Sequence, residues 1–144
     1  MPKMIFVNLP VADVARATAF YEALGFEKNP QFSNEQASSM VWSDTIHFML
    51  LAPDFFQSFL PEGQTIAARG TTQAIICLAQ ESREAVDRVA EAAKAAGGRI
   101  GFEPVGEAGF MYGRAFEDLD GHLIENMYMD MAAFAAAQTE QVAA

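Results

Sequence analysis

Basic residues are scarce in this chain: 9 lysines and arginines stand against 19 aspartates and glutamates, a formal charge of −10 over 144 residues. Gripping a phosphate backbone needs a basic face, so a nucleic-acid partner is excluded, and an anionic membrane surface is disfavoured for the same reason. The acidic excess instead makes a soluble, self-repelling surface. Cysteine is scarcer still. With Cys77 alone no intramolecular disulfide can form, and its place in the apolar run AIICLA reads as a buried strand thiol in a reducing cytoplasm. Only two histidines occur, His47 and His122. Long apolar runs are missing too: FMLLA at 48–52 falls far short of the roughly 20 residues that cross a bilayer. The N-terminus MPKMIFVNL passes straight into a strand pattern without a separate apolar stretch and cleavage site, so no signal peptide is expected.

What is present is one structural pattern, written twice. Residues 4–51 read strand, helix and three short strands, and residues 72–129 read the same way. The expected fold is α+β, with paired βαβββ modules forming a half-barrel cup and the cleft between the two half-sheets as the natural ligand site. The expected boundaries are 1–60 for the first module with a short aromatic helix, 61–71 for a linker, 72–130 for the second module, and 131–144 for a C-terminal helix and frayed tail. A hydrophobic fraction of 51% supplies core enough for one compact domain of this kind.

The local signals are specific. Residues 4–11 predict a strand ending near Pro10, and Asp13 caps the helix that follows. Val14, Ala17, Tyr21 and Leu24 make one helical face, and Gly25 stops the helix. Strands are expected at 26–32, 38–43 and 46–52, with turns near Asn34 and at Asp44–Thr45, followed by a short helical excursion at 53–63. In the second half a strand at 73–79 precedes a helix capped by Ser82, with Val86, Val89, Ala90 and Ala93 as its buried stripe and Gly97–Gly98 at its end. Strands near 99–104, 110–117 and 122–129 complete the repeat, with a tight LDG turn at 119–121.

Strand side chains alternate, and this assigns faces. Val7, Leu9 and Val11 are expected against the helix, leaving Phe6, Asn8 and Pro10 on the cleft side. Phe48 and Leu50 pack under the helix, while His47, Met49 and Leu51 face the cleft. In the second half Gln73, Ile75 and Cys77 are cleft candidates, as are Leu123, Glu125, Met127 and Met129, with Ile124 in the core.

The pattern LPVADVARATAFYEALGFE near the start, with FEDLDGHLIE near the end, resembles the vicinal oxygen chelate superfamily. That group contains glyoxalases, bleomycin-resistance proteins, fosfomycin-resistance proteins and extradiol dioxygenases, and the resemblance spans about residues 4–129. It implies paired modules, commonly assembled as a homodimer, around a cup that usually holds one divalent metal. The metal would bind vicinal oxygens of a substrate and stabilise an enediolate or related anion. Carried over by position, the ligand places are Phe6, Met49, Gln73 and Glu125, of which only Glu125 is a good ligand. No cofactor is therefore expected, although the resemblance makes a divalent metal possible, with Glu125 and His47 as weak candidates.

The individual residues then take these roles. Glu125, on an apolar floor among Leu123, Met127 and Met129, is the candidate general base, or else a carboxylate held by Gln73 or Tyr112. Tyr112 and Arg114 share a parity and are candidates to hold a substrate oxyanion, or else are bonded to Glu117 or Asp118. His122 is expected to brace its turn. Phe6, Asn8, Trp42, His47, Met49, Gln73, Met111 and Met127 are the candidate ligand-binding residues, because methionine and aromatic side chains suit a flat or greasy ligand. The expected function is a glyoxalase- or bleomycin-resistance-like protein that binds a small, largely apolar molecule without the usual metal site. Bleomycin-resistance proteins bind a cationic drug partly through acidic surface, and a charge of −10 is compatible with that. The alternative is a lyase, such as lactoylglutathione lyase, or a dioxygenase, either metal-dependent or metal-free with Glu125 as base.

Overall fold

An aspartate opens the first helix and a glycine closes it, and the same grammar recurs in the second half of the chain. The computed structural model describes residues 2–102 and 106–143. Two compact units result: Met1–Gln73 with Asp118–His122, and Ala74–Glu117 with Leu123–Ala144.

The first unit contains β1 (Ile5–Pro10), α1 (Val14–Ala23), β2 (Glu27–Asn29), a 3-10 turn at Pro30–Phe32, β3 (Ala37–Ser43), β4 (Ile46–Leu51) and α2 (Pro53–Gln57). The Asp13 carboxylate accepts from the Arg16 N–H and starts α1. At its end Gly25, at φ +105°, lets the Gly25 N–H reach Glu22 O and the Phe26 N–H reach Tyr21 O. This is a Schellman closure, with the Tyr21 and Phe26 rings 5.1 Å apart as its apolar contact. The expected strand at 26–32 is shorter than read, because Pro30 lacks an N–H for the ladder and opens the 3-10 turn instead.

The sheet order is β1-β4-β3-β2. β1 runs parallel to β4, which the crossover through α1 permits, and the other pairs are antiparallel. Leu9, Phe48, Leu50 and Met40 turn to one face and are buried with Ala17, Phe20 and Tyr21 of α1. The Tyr21 ring meets Phe20, Phe26 and Phe48 edge-on at 5.1–5.6 Å, geometry that adds to the burial of each ring. The α1 stripe is wider than the sequence spacing gave, since Thr18 and Phe20 are buried as well. Truncating a fully buried ring such as Phe48 to alanine costs about 3–5 kcal/mol in such a core.

The second unit contains β5 (Ile76–Ala79), α3 (Arg83–Ala95), β6 (Gly106–Ala108), β7 (Met111–Glu117), β8 (Leu123–Met129) and α4 (Met131–Ala143). Its sheet order is β5-β8-β7-β6, with β5 parallel to β8. That repeats the first sheet strand for strand, so the α+β reading with paired βαβββ order holds. Ser82 Oγ caps α3 through the Ala85 N–H, and the Gly98 N–H returns to Ala93 O at the far end. Ala85, Val86, Ala90 and Ala93 form its buried face. The strand expected near 99–104 is reduced to a bridge between Arg99 and Glu117, and residues 103–105 lie outside the described residues. α4 opens on an Asp130 carboxylate that accepts from the Ala133 N–H. It runs on through Ala143, further than the frayed tail expected of it. Among the described residues no helix is long and apolar enough to cross a membrane.

The turn between β7 and β8 belongs to the first unit. Asp118 accepts from the Tyr21 hydroxyl and from the N–H groups of Asp120 and His122. The Asp120 carboxylate accepts from the Ala12 N–H, and Arg69 donates to Leu119 O at 2.7 Å. His122 Nε2 lies 2.7 Å from Pro10 O, consistent with a bracing role for that ring.

Candidate functional site

Register places the candidate residues. In the first unit Phe6 stands beside His47 and Asn8 beside Met49. β3 then sets Val41 against His47 and Ser39 against Met49, and β2 sets Asn29 against Ser39. With Leu9, Phe48, Leu50 and Met40 committed to the helix side, these residues share the opposite face.

That face carries a concavity of about 520 Å³, within the ordinary range for a small-molecule site. Met4, Phe6, Phe32, His47 and Met49 supply its apolar and aromatic lining, and Asn8, Asn29 and Ser39 its polar atoms. Among the described residues no aspartate, glutamate, lysine or arginine lines it. The Phe6 and His47 rings stack at 4.8 Å with 15° between their planes. His47 Nε2 lies 3.2 Å from Asp44 O, which helps fix the ring. Phe6 and Phe32 are large hydrophobic groups left well exposed, at 53% and 68%. A second concavity of about 560 Å³, between α1 and residues 28–38, differs in kind, with Asp13, Glu22, Glu35 and Lys28 in its walls.

Four of the expected ligand-binding residues, Phe6, Asn8, His47 and Met49, therefore come together. Trp42 does not join them: it falls at the register irregularity between Val41 and Ser43 and is absent from the lining. Met4, Asn29, Phe32 and Ser39 were missed. Ser39 and Asn29 were recoverable, because pairing the third strand antiparallel to the fourth and second puts them in the Met49 row.

In the second unit Glu125 stands beside Cys77 on one side and Ala115 on the other. Met111 and Met127 share its face by register, opposite Met129 and Gly113 respectively. A Cβ built on Gly113 would lie 3.3 Å from Asn126 O, a tight approach, and at ordinary contact distance, 3.7 Å, from Glu125 Oε1. Cys77 is exposed, which corrects the expectation of a buried thiol. Partial burial pushes the thiol above its usual pKa, and the neighbouring Glu125 charge adds to the rise.

Tyr112 and Arg114 require a correction. They pair with Tyr128 and Asn126, on the face opposite Glu125, where α3 lies. The Tyr112 hydroxyl donates to Asp87 Oδ1 at 2.5 Å, and Arg114 donates to Asp87 at 3.2 Å and Glu91 at 3.1 Å. Burial opposes the Arg114 charge, but the hydrogen bonds to Glu91 and Asp87 outweigh it and raise the guanidinium's pKa. Gln73 requires another: it sits in an exposed bend three residues ahead of β5 and belongs to the first unit. The residue that stands beside Glu125 is Cys77, as Asn8 stands beside Met49.

Register thus replaces Phe6 with Asn8 beside Met49 in the first unit, and Gln73 with Cys77 beside Glu125 in the second. In the first unit that means a neutral amide, a weak ligand, and a thioether, which suits soft ions rather than a hard or borderline divalent one. Among the described residues no three or more histidine, cysteine, aspartate or glutamate side chains group as metal ligands. The donors present do not fit the metal that the resemblance implies.

Comparison with known proteins agrees with this fold. Residues 3–38 match the family model described as bleomycin resistance protein-like N-terminal. A hypothetical protein of S. aureus has a similar structure, with a TM-score of 0.72 and 28% identity, covering 89% of this chain and 94% of that one. A glyoxalase/bleomycin resistance protein from Albidiferax ferrireducens T118 gives 0.64 and 25%, covering 85% and 95%. A lactoylglutathione lyase from Agrobacterium tumefaciens gives 0.63 and 15%, covering 91% and 96%, a likeness of fold alone. No curated protein sequence matches significantly.

Proposed function

From the premise that the chain resembles the vicinal oxygen chelate superfamily in both N-terminal sequence and fold, we propose that it binds a small, largely apolar molecule on the open sheet face of its first unit. The observation that carries this reading is the uncharged concavity of about 520 Å³ at Phe6, His47 and Met49. Burying a flat apolar ligand there removes exposed ring surface from water, at roughly 25 cal/mol per Å². The stacked Phe6–His47 pair gives such a ligand a platform, and Met49 adapts to its outline. The walled-in charges of the second concavity make it a poorer host for the same molecule.

Thermal-shift and chemical-shift titrations with a panel of neutral aromatic compounds test the reading. Binding is expected in the wild type, weakened by Phe6→Ala and abolished by Met49→Glu, which puts a carboxylate into the apolar lining. A protein that binds none of the panel, or binds equally well with Met49→Glu, contradicts it. Pairing with a second copy, which the resemblance implies, is part of the same reading and is checked by light scattering.

A second reading is a metal-free enzyme of this fold with Glu125 as general base. It rests on the place of Glu125 beside Cys77 and Ala115, on the sheet face it shares with Met111 and Met127. Its Tyr112 and Arg114 anion holders are dropped, because both are bonded to α3. Turnover that survives intact in Glu125→Gln removes the reading.

A further inference from the structure

Ser39 is buried in the concavity with its hydroxyl unspent. It is 3% exposed and lines the cavity. Its backbone N–H is taken by Ser33 Oγ at 2.9 Å, and among the described residues its own Oγ has no hydrogen-bond partner. The adjacent Ser38, turned to the other face, does have one: it donates to Met40 Sδ at 3.3 Å. Buried hydroxyls are nearly always paired, and one left unpaired in a cavity wall is a polar group held ready.

Its neighbours make it part of a line. Asn8, Met49, Ser39 and Asn29 follow one another across β1, β4, β3 and β2 as a single register row. Asn29 Oδ1 already accepts from the Gln31 N–H at 3.0 Å, and among the described residues its NH₂ group has no acceptor. The row one pair earlier holds Phe6 and His47. The lining therefore has a ring platform on one side and an amide–hydroxyl–amide edge on the other.

We propose that this edge selects a neutral, planar ligand carrying an amide-like group, such as a carboxamide or a lactam. Ser39 Oγ exchanges a hydrogen bond with that group, Asn8 or Asn29 pairs with its second polar atom, and Phe6, His47 and Met49 cover the ring. An anionic group is disfavoured, since among the described residues no lysine or arginine lines the cavity to balance it. The proposal rests on the binding reading above and names its ligand class.

Chemical-shift titration of the full-length chain with benzamide, benzoate and ethylbenzene tests it. These probes share a ring and differ in the group presented to Ser39. Benzamide is expected to bind more tightly than ethylbenzene, and benzoate least. Ser39→Ala is expected to weaken benzamide roughly three- to tenfold and to leave ethylbenzene unchanged. It is also expected not to lower the melting temperature of the ligand-free protein, because it removes an unpaired buried hydroxyl. Benzamide binding that ignores Ser39→Ala overturns the proposal, as does a lowered melting temperature in that variant, which would mark a structural hydroxyl. Equal binding of benzamide and ethylbenzene overturns it while the apolar-binding reading stands. If neither probe shifts the resonances of Phe6 and Met49, both fall.

Discussion

The Tyr21 hydroxyl donates to Asp118 Oδ2 across 2.7 Å, with Tyr21 fully buried and Asp118 3% exposed. The two residues are 97 positions apart in the chain, so this bond carries the β7–β8 turn into the core of the first unit. Burial raises the Tyr21 pKa well above 10.0, and the Asp118 charge raises it further. The unfolded chain therefore gives up this proton first as pH rises past 10. Stability that is complete below that pH is lost above it, at up to about 1.4 kcal/mol per pH unit for one proton. Tyr21→Phe is expected to flatten that alkaline loss in urea unfolding, while costing about 1–3 kcal/mol at neutral pH for the buried acceptor it strands.

Asp118 itself runs against the usual behaviour of a carboxylate. Burial raises its pKa above 3.8, an effect only partly offset by His122 and by the bonds from Tyr21, His122 and Asp120. The native state holds this proton more tightly than the unfolded chain, so Asp118 subtracts stability as pH rises from 3.8 through its folded pKa. Asp118→Asn is expected to remove that fall, seen as a smaller difference in urea midpoint between pH 3.5 and pH 7 than in the wild type.

Gly121 holds the same turn at φ +88°, and a Cβ there would lie 3.3 Å from the Arg69 side chain. Gly121→Ala is expected to destabilise by about 1–2 kcal/mol through the left-handed backbone alone. Combining it with Arg69→Ala separates the causes in a double-mutant cycle. Backbone strain survives the loss of Arg69, whereas a steric cost does not.

Cys77 is the only thiol in the chain, so its alkylation rate is a clean reading of its surroundings. Iodoacetamide at pH 8 is expected to modify it more slowly than a free cysteine, because burial and Glu125 both raise its pKa. Glu125→Gln is expected to speed the reaction. An unchanged rate removes the electrostatic link between the two side chains.

Tyr112 and Arg114 are expected to matter little to ligand binding, since both are engaged with α3. Arg114→Met breaks two partly exposed ion pairs, worth no more than about 1 kcal/mol. Benzamide affinity should stay within twofold of wild type in Arg114→Met and in Tyr112→Phe. A larger change places them on the wrong face.

The repeat, both helix caps and most strands were legible because each rests on local chemistry: Asp13 and Ser82 cap, Gly25 and Gly97 stop, and the alternation at Val7, Leu9 and Val11 chooses a side. The site was legible only in its first unit. Phe6, Asn8, His47 and Met49 follow from alternation on two strands that are easily found. Ser39 and Asn29 needed the pairing register of β3 with β4 and β2, a non-local fact. Gln73 was misplaced because β5 starts only at Ile76. Tyr112 and Arg114 were misread because their partners, Asp87 and Glu91, lie on a helix 23–27 residues upstream.

The turn at residues 118–122 is counted with the first unit although the strands on either side of it are counted with the second. On the ribosome, then, the first unit cannot be finished when its own strands have emerged. Tyr21 waits for Asp118, and the Ala12 N–H waits for Asp120, until more than four-fifths of the chain has been made. A fragment cut at Gln73 would carry a tyrosine hydroxyl in its core with its acceptor still unsynthesised. The two halves repeat each other in pattern, yet the earlier one is not complete until most of the later one has been made.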